Sequence, residues 1–177
     1  MNKILLLIAA LLVSNFALCN VNTRIHLKTG LNNIDLNNDG IADSIFMATY
    51  DNNTSHPSET LTVFVKSGKN WFIVPVPDDD GFTLADFKLS GSALRINSVE
   101  LHRFKGIAYL IRGVKYAGSG DISDRSKVKF TRYRLVSNND DPGTSAFYWE
   151  AAGSHLTAQI FNSVDDAFQA LNMETFR

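Results

Sequence analysis

The sequence predicts a mainly β fold, an antiparallel β-sandwich or sheet with one short C-terminal helix, and three observations carry that expectation. Apolar residues recur with period two in short runs, Gly, Asn, Asp and Ser interrupt the chain between those runs, and a helical apolar stripe occurs only near the C-terminus.

Taken in chain order, the first element is an export signal. Lys3 precedes an apolar run from Ile4 to Val13, and Ala17 and Cys19 occupy the small-residue positions of a cleavage site. The run falls short of the ~20 apolar residues that a membrane-spanning helix needs. The rival reading, a lipid-anchored Cys19, wants Gly, Ala or Ser before the cysteine, and Leu18 stands there. The expected organisation is therefore a cleaved signal over residues 1–19 and a single β-rich domain over residues 20–177, periplasmic or secreted. Cys19 is the chain's one cysteine, so its loss with the signal would remove disulfides, thiol catalysis and cysteine metal sites from the mature protein.

Strands are expected over 24–27, 44–50, 61–66, 71–75, 93–101, 107–115, 127–136, 146–150 and 156–161. The sharpest turn signal is Ser67-Gly68-Lys69-Asn70, which sets two apolar runs apart by hairpin residues and predicts that the strands on either side pair. In the C-terminal helix Ser163 serves as N-cap, Asp165 and Asp166 lie where the helix dipole favours negative charge, and Val164, Phe168, Leu171 and Met173 supply the apolar stripe.

Charges nearly cancel, with 17 Lys and Arg against 18 Asp and Glu, and no basic block forms, so nucleic acid is not an expected partner. The most informative segment is Asp35-Leu36-Asn37-Asn38-Asp39-Gly40-Ile41-Ala42-Asp43. Oxygen side chains stand at positions 1, 3 and 5, glycine at 6 and a further carboxylate at 9, the opening of a calcium loop whose chain wraps its oxygens round a hard cation. Position 12 is Phe46 instead of the Glu of an EF-hand, and a strand follows. Two readings stay open: Asp35, Asn37, Asp39 and Asp43 bind calcium, or the same side chains hold an Asx-type turn by bonding backbone N–H groups.

The four histidines, His26, His56, His102 and His155, are scattered and form no zinc signature. His56, in the polar loop after the carboxylate turn, and Trp71, among aromatics that could line a pocket, are the candidate ligand-binding residues. Ser126-Lys127-Val128-Lys129 matches the S-x-x-K of penicillin-recognising enzymes, but it opens an expected strand, and the K-T-G-like Lys66-Ser67-Gly68 precedes it in the wrong order. No catalytic constellation emerges. The glycine-rich loop around Gly118 and Gly120 lacks the spacing that cradles phosphate.

The order of these features resembles the carbapenem intrinsic-resistance proteins, the CarG-like family. The resemblance rests on Asn33-Ile34-Asp35-Leu36-Asn37-Asn38-Asp39-Gly40-Ile41-Ala42-Asp43 and on the Asn-rich loop ending in His56. It continues through Val63-Phe64-Val65 with Trp71-Phe72, Thr83-Leu84-Ala85-Asp86-Phe87-Lys88-Leu89, the strand from Val128 to Leu135, and Ser163-Val164-Asp165-Asp166-Ala167-Phe168. Asn38 stands where the family often has Gly, and the loop after Tyr116 departs from the pattern. The resemblance implies an exported protein that protects cells against carbapenems without being a β-lactamase, by a mechanism the family does not make obvious; with no catalytic constellation in the sequence, the expected mode is binding of the β-lactam or of a cell-wall component. The alternative from the residues themselves is a calcium-dependent secreted binding or structural module.

Overall fold

The computed structural model describes residues 22–176 apart from 52, 54, 78–85, 89–93, 117, 119, 140, 141 and 144, with 86–88 traced by their backbone. The expected export segment, the loop over 78–81 and most of the Thr83-to-Leu89 motif lie outside the described residues.

Among the described residues ten strands make two antiparallel sheets. The smaller runs β2 (Gly30–Ile34), β3 (Asp43–Tyr50), β4 (Ser58–Ser67) and β5 (Asn70–Val74) in sequence order. The larger follows the order β1 (Thr23–Ile25), β7 (Arg95–Phe104), β8 (Ile107–Tyr116), β9 (Lys127–Ser137), β10 (Phe147–Leu156), and β6 (Asp86–Lys88) pairs with the far end of β7. Among the described residues the chain is thus mainly antiparallel β with one short α-helix, as the alternation predicted. Among the described residues no helix is long and apolar enough to cross a membrane.

The two sheets face each other across a core of Ile45, Leu61, Val63, Val65, Val74, Leu101, Leu110 and Trp149. Their side chains come from alternate positions along β3, β4, β5, β7, β8 and β10, so one face of each of these strands closes on this layer. The opposite face of the larger sheet carries a second core, in which Phe104, Ile111, Val128 and Phe130 meet Val164, Ala167 and Phe168 of helix α1 (Val164–Gln169). Gly113 makes that contact close. A Cβ there would stand 2.8 Å from Phe130 Cε1, 2.8 Å from Val164 Cγ1 and 3.1 Å from Phe168 Cε2, so the bare backbone lets the helix settle onto the sheet.

The helix starts as its sequence predicts, with Ser163 Oγ accepting the Asp165 N–H at 3.2 Å. It spans six residues, and a 3₁₀ turn over Met173–Thr175 continues the cover. Arg132 fastens this C-terminal segment. Its guanidinium lies 5.0 Å from the Tyr109 ring and 5.1 Å from the Phe176 ring, with Nη2 donating to the Ala152 carbonyl at 2.9 Å.

The expected hairpin is present: Ser67 pairs with Asn70, and Gly68 takes φ +59 at the first turn position, where a type II′ turn calls for glycine. Three strand expectations need correction. β2 is absent from the expected strands, since Asn32 and Asn33 interrupt the apolar alternation of this segment. Asn32 is nonetheless buried, and its side chain bonds the Lys28 N–H at 2.9 Å and the Lys28 carbonyl at 2.8 Å, replacing the water it loses. β6 had no periodic signal of its own. β10 takes in the expected strand 146–150 and runs on to Leu156 through a register shift between Ala151 and Ser154 that hides its period, whereas the expected strand over 156–161 does not form: beyond Leu156, Phe161 pairs with Ser126 in an isolated bridge.

Candidate functional site

The segment from Asp35 to Asp43 links β2 to β3 and gathers the four oxygen side chains singled out from sequence into one hydrogen-bonded turn. Asp35 Oδ2 accepts the Gly40 N–H at 2.9 Å, Asn37 Oδ1 the Asp39 N–H at 3.2 Å, and Asp39 Oδ1 the Ile41 N–H at 2.7 Å. Asn37 Nδ2 donates to Asp39 Oδ2 at 3.0 Å. Gly40, at φ +83, supplies the left-handed step. Asn38 also sits in the left-handed region at φ 60, a conformation that asparagine tolerates. Its side chain here adds a link, accepting from Arg103 Nη1 at 3.2 Å and donating to the Gly106 carbonyl at 3.3 Å, while Arg103 Nη2 donates to the Asp35 carbonyl at 3.1 Å. The turn is thereby docked on the β7–β8 hairpin of the other sheet.

Asp43 differs from its neighbours in being fully buried. Its two oxygens accept the Leu36 N–H at 2.9 Å and the Lys66 N–H at 3.0 Å, joining the turn to β4. Burial pushes its carboxyl above the usual aspartate range; the two backbone N–H groups oppose that rise, and the charges of Asp39 and Asp35 add to it. Among the described residues Asp35 Oδ1 is buried and accepts no hydrogen bond, and no group of three or more His, Cys, Asp or Glu side chains converges tightly enough to hold a metal. The donor chemistry nevertheless suits a hard cation. Every candidate ligand is oxygen, and a carboxylate oxygen that accepts an N–H keeps a second lone pair.

His56 and Trp71 are not brought together. His56 precedes β4, whereas Trp71 pairs with Lys66 at the other end of that ten-residue strand, ~30 Å away at the usual strand rise. Trp71 is half-exposed on the outer face of the smaller sheet, with Lys66 Nζ 5.5 Å from its ring centre. Ser126 and Lys129 are three residues apart along extended chain and so face opposite ways, with Ser126 buried and Lys129 exposed.

A second site was missed from sequence. On the helix-side face of β7, Glu100 and His102 are almost wholly buried, with 7% and 4% of their side-chain surface exposed. His102 Nε2 lies 2.9 Å from Glu100 Oε2 and Nδ1 2.9 Å from Asn22 Oδ1, and its ring stacks on Phe168 at 6.2 Å. Arg24 stands opposite His102 in the β1–β7 register and reaches diagonally to Glu100 Oε1 at 3.0 Å. Arg95, farther along β7, pairs with Glu59 at 3.0 Å and with Asp165 of α1 at 3.4 Å. Arg24, Arg95, Glu100, His102 and Asp165 line a cavity of about 500 Å³, and Arg24, Arg95 and Glu100 also border, with Glu59, an adjoining space of about 200 Å³. The signal available in the sequence was the polar alternation Ser98, Glu100, His102, which reads as a wet strand face until α1 and β1 are placed over it.

The family described as carbapenem resistance protein CarG-like matches residues 27–170. No curated protein matches the sequence. Among solved structures, the crystal structure of CarG superposes with a TM-score of 0.80 at 33% sequence identity, over 88% of this chain and 99% of that one. A family match across most of the chain, joined to a shared fold at this identity, places the protein: it belongs to the CarG-like family of carbapenem resistance proteins.

Proposed function

We propose that the chain is an exported, non-catalytic protein that protects cells against carbapenems by non-covalent binding, either of the β-lactam or of a cell-wall component. The observation that carries this reading is membership of a family described by carbapenem resistance. The signal-like N-terminus supports a periplasmic or secreted location, where both kinds of ligand occur. The opposed directions of Ser126 and Lys129 support reading the S-x-x-K match as chance.

The test is expression in a carbapenem-sensitive host, with survival and drug hydrolysis measured together. Survival rises without drug turnover on this reading. Turnover by the purified protein would overturn the non-catalytic part, and unchanged sensitivity would overturn the protective role.

The Asp35–Asp43 turn favours a second, compatible reading, in which calcium steadies the protein. Asp35, Asn37 and Asp39 would hold the ion with Asp43 behind them, and its charge would offset the repulsion among three carboxylates. Calcium then raises the Tm of the wild type, as any ligand of the folded state does, and leaves Asp39→Ala unmoved. Equal melting of the wild type in calcium and in chelator would sink the calcium reading.

A further inference from the structure

The polar cleft under α1 is unusual for its position. The same sheet face is apolar at Phe104, Ile111 and Phe130, yet Glu100 and His102 are buried beside them. Burying a carboxylate and an imidazole costs desolvation that apolar side chains of similar size would avoid, so the pair is not the arrangement that packing alone favours. The short helix explains the space. It lies over β7, β8 and Phe130 and stops, leaving an opening walled by Phe168 and Leu171 on one side and Arg24 on the other.

What the opening offers a ligand follows from which polar atoms are already engaged. Both Glu100 oxygens are taken, by Arg24 and by His102, and both His102 nitrogens face oxygen. Arg24 is different. It meets Glu100 through Nη2, its side chain is 52% exposed, and a guanidinium carries five N–H donors in a planar fork. The cleft mouth therefore presents donors, in the geometry that matches a planar carboxylate through two parallel hydrogen bonds. Arg95 adds a second positive charge, while Glu100 and Asp165 disfavour a doubly charged anion such as phosphate. The apolar walls and the adjoining space lined by Ile25, Leu27 and Met47 suit the body of a small molecule.

We propose that the cleft between β1, β7 and α1 is a binding site for a small molecule carrying one carboxylate, which the Arg24 guanidinium takes in competition with Glu100, beside Arg95. The proposal rests on the binding reading of the function and gives it a place. Two sources share this chemistry: the carboxylate of a carbapenem, and the C-terminal carboxylate of a cell-wall peptide.

The experiment is calorimetric titration of the full mature chain with meropenem, with acetyl-D-alanyl-D-alanine, and with the methyl ester of that peptide, repeated on Arg24→Ala and Glu100→Gln, with the Tm of each variant recorded. A carboxylate probe binds the wild type, the source being whichever probe binds. Arg24→Ala weakens that binding by about tenfold or more, the loss of a charge-assisted bidentate contact. Glu100→Gln strengthens it, because the competing carboxylate is gone; a purely structural Glu100 would lower the Tm and could not tighten binding. The ester does not bind.

Failure to bind either carboxylate at about 10 mM would overturn the proposal. Unchanged affinity in Arg24→Ala, ester binding equal to acid binding, or weakened binding by Glu100→Gln at wild-type Tm would also overturn it. Survival of the sensitive host separates the two claims. Full protection by Arg24→Ala would sink this site while sparing the protective function, and binding without protection would do the reverse.

Discussion

The helix-side face of the larger sheet buries charge in two places, and they are built differently. On β8 the Lys115 Nζ donates to the main-chain carbonyls of Asp124 at 2.7 Å and Asn162 at 2.8 Å, so the charge ends on two loop segments and ties them together. On β7 the Glu100 carboxylate and the His102 ring beside it end on side chains, Arg24 and Asn22, that border open space. Between the two, Gly113 and Phe130 meet α1 in an apolar core. The contrast shows what to look for in a buried charge. Where its partners are backbone groups it fastens the fold, and where its partners are side chains around a cavity it equips a cleft.

Three substitutions sharpen or break that contrast. The largest effect is expected in the apolar stretch, where Phe130→Ala removes a ring with 1% of its surface exposed. The loss in denaturant melts is about 3–5 kcal/mol, and a loss below either charged site would mean that this core is not what holds the face.

Next comes Lys115→Ala, which leaves two carbonyl oxygens without their donor and should cost about 2–4 kcal/mol. Its pH dependence gives an independent check. Burial lowers the Lys115 ammonium from its usual 10.5, against the opposing charges of Asp124 and Asp121. Below 10.5 and above the lowered folded value, the unfolded chain holds a proton that the folded chain has released, so wild-type stability relative to Lys115→Met rises with pH across that window. A flat difference would show that burial does not disfavour the charge.

The smallest effect belongs to Arg24→Ala. With half its side chain exposed and open space beside it, its loss lets water reach the nearly buried Glu100 carboxylate, so stability falls by less than for Lys115→Ala while carboxylate binding weakens. A loss as large as that of Lys115→Ala would make Arg24 a fastener too, and the two places would cease to differ.

The sequence revealed these regions unequally. The Gly68-Lys69 hairpin, the Ser163 cap and the Asp35–Asp43 turn were readable because each is completed within a few residues: a glycine at a left-handed position, a hydroxyl on the N–H two residues ahead, a carboxylate on the N–H five residues ahead. β2 was missed because two asparagines look like a turn unless one knows that Asn32 is buried against Lys28 and the Ile45 carbonyl, the latter at 3.3 Å. β10 is legible only as far as Glu150 because its register shifts between Ala151 and Ser154 and breaks the two-residue period. His102 is one of four histidines scattered along the sequence and Glu100 belongs to no motif, because their site is assembled only when β1 and α1 pack beside β7.

By itself, then, the sequence determined the strand character of the chain, its tight turns, the start of its helix and the oxygen-rich turn before β3, because hydrogen bonds and side-chain alternation that act over short separations are written in consecutive residues. The tertiary structure alone decided which strands share a sheet, that Arg103 docks the turn on the β7–β8 hairpin, and that Arg24 meets Glu100. Those choices depend on pairing and burial between segments far apart in the chain, and their energies come from shared surface that no single segment carries.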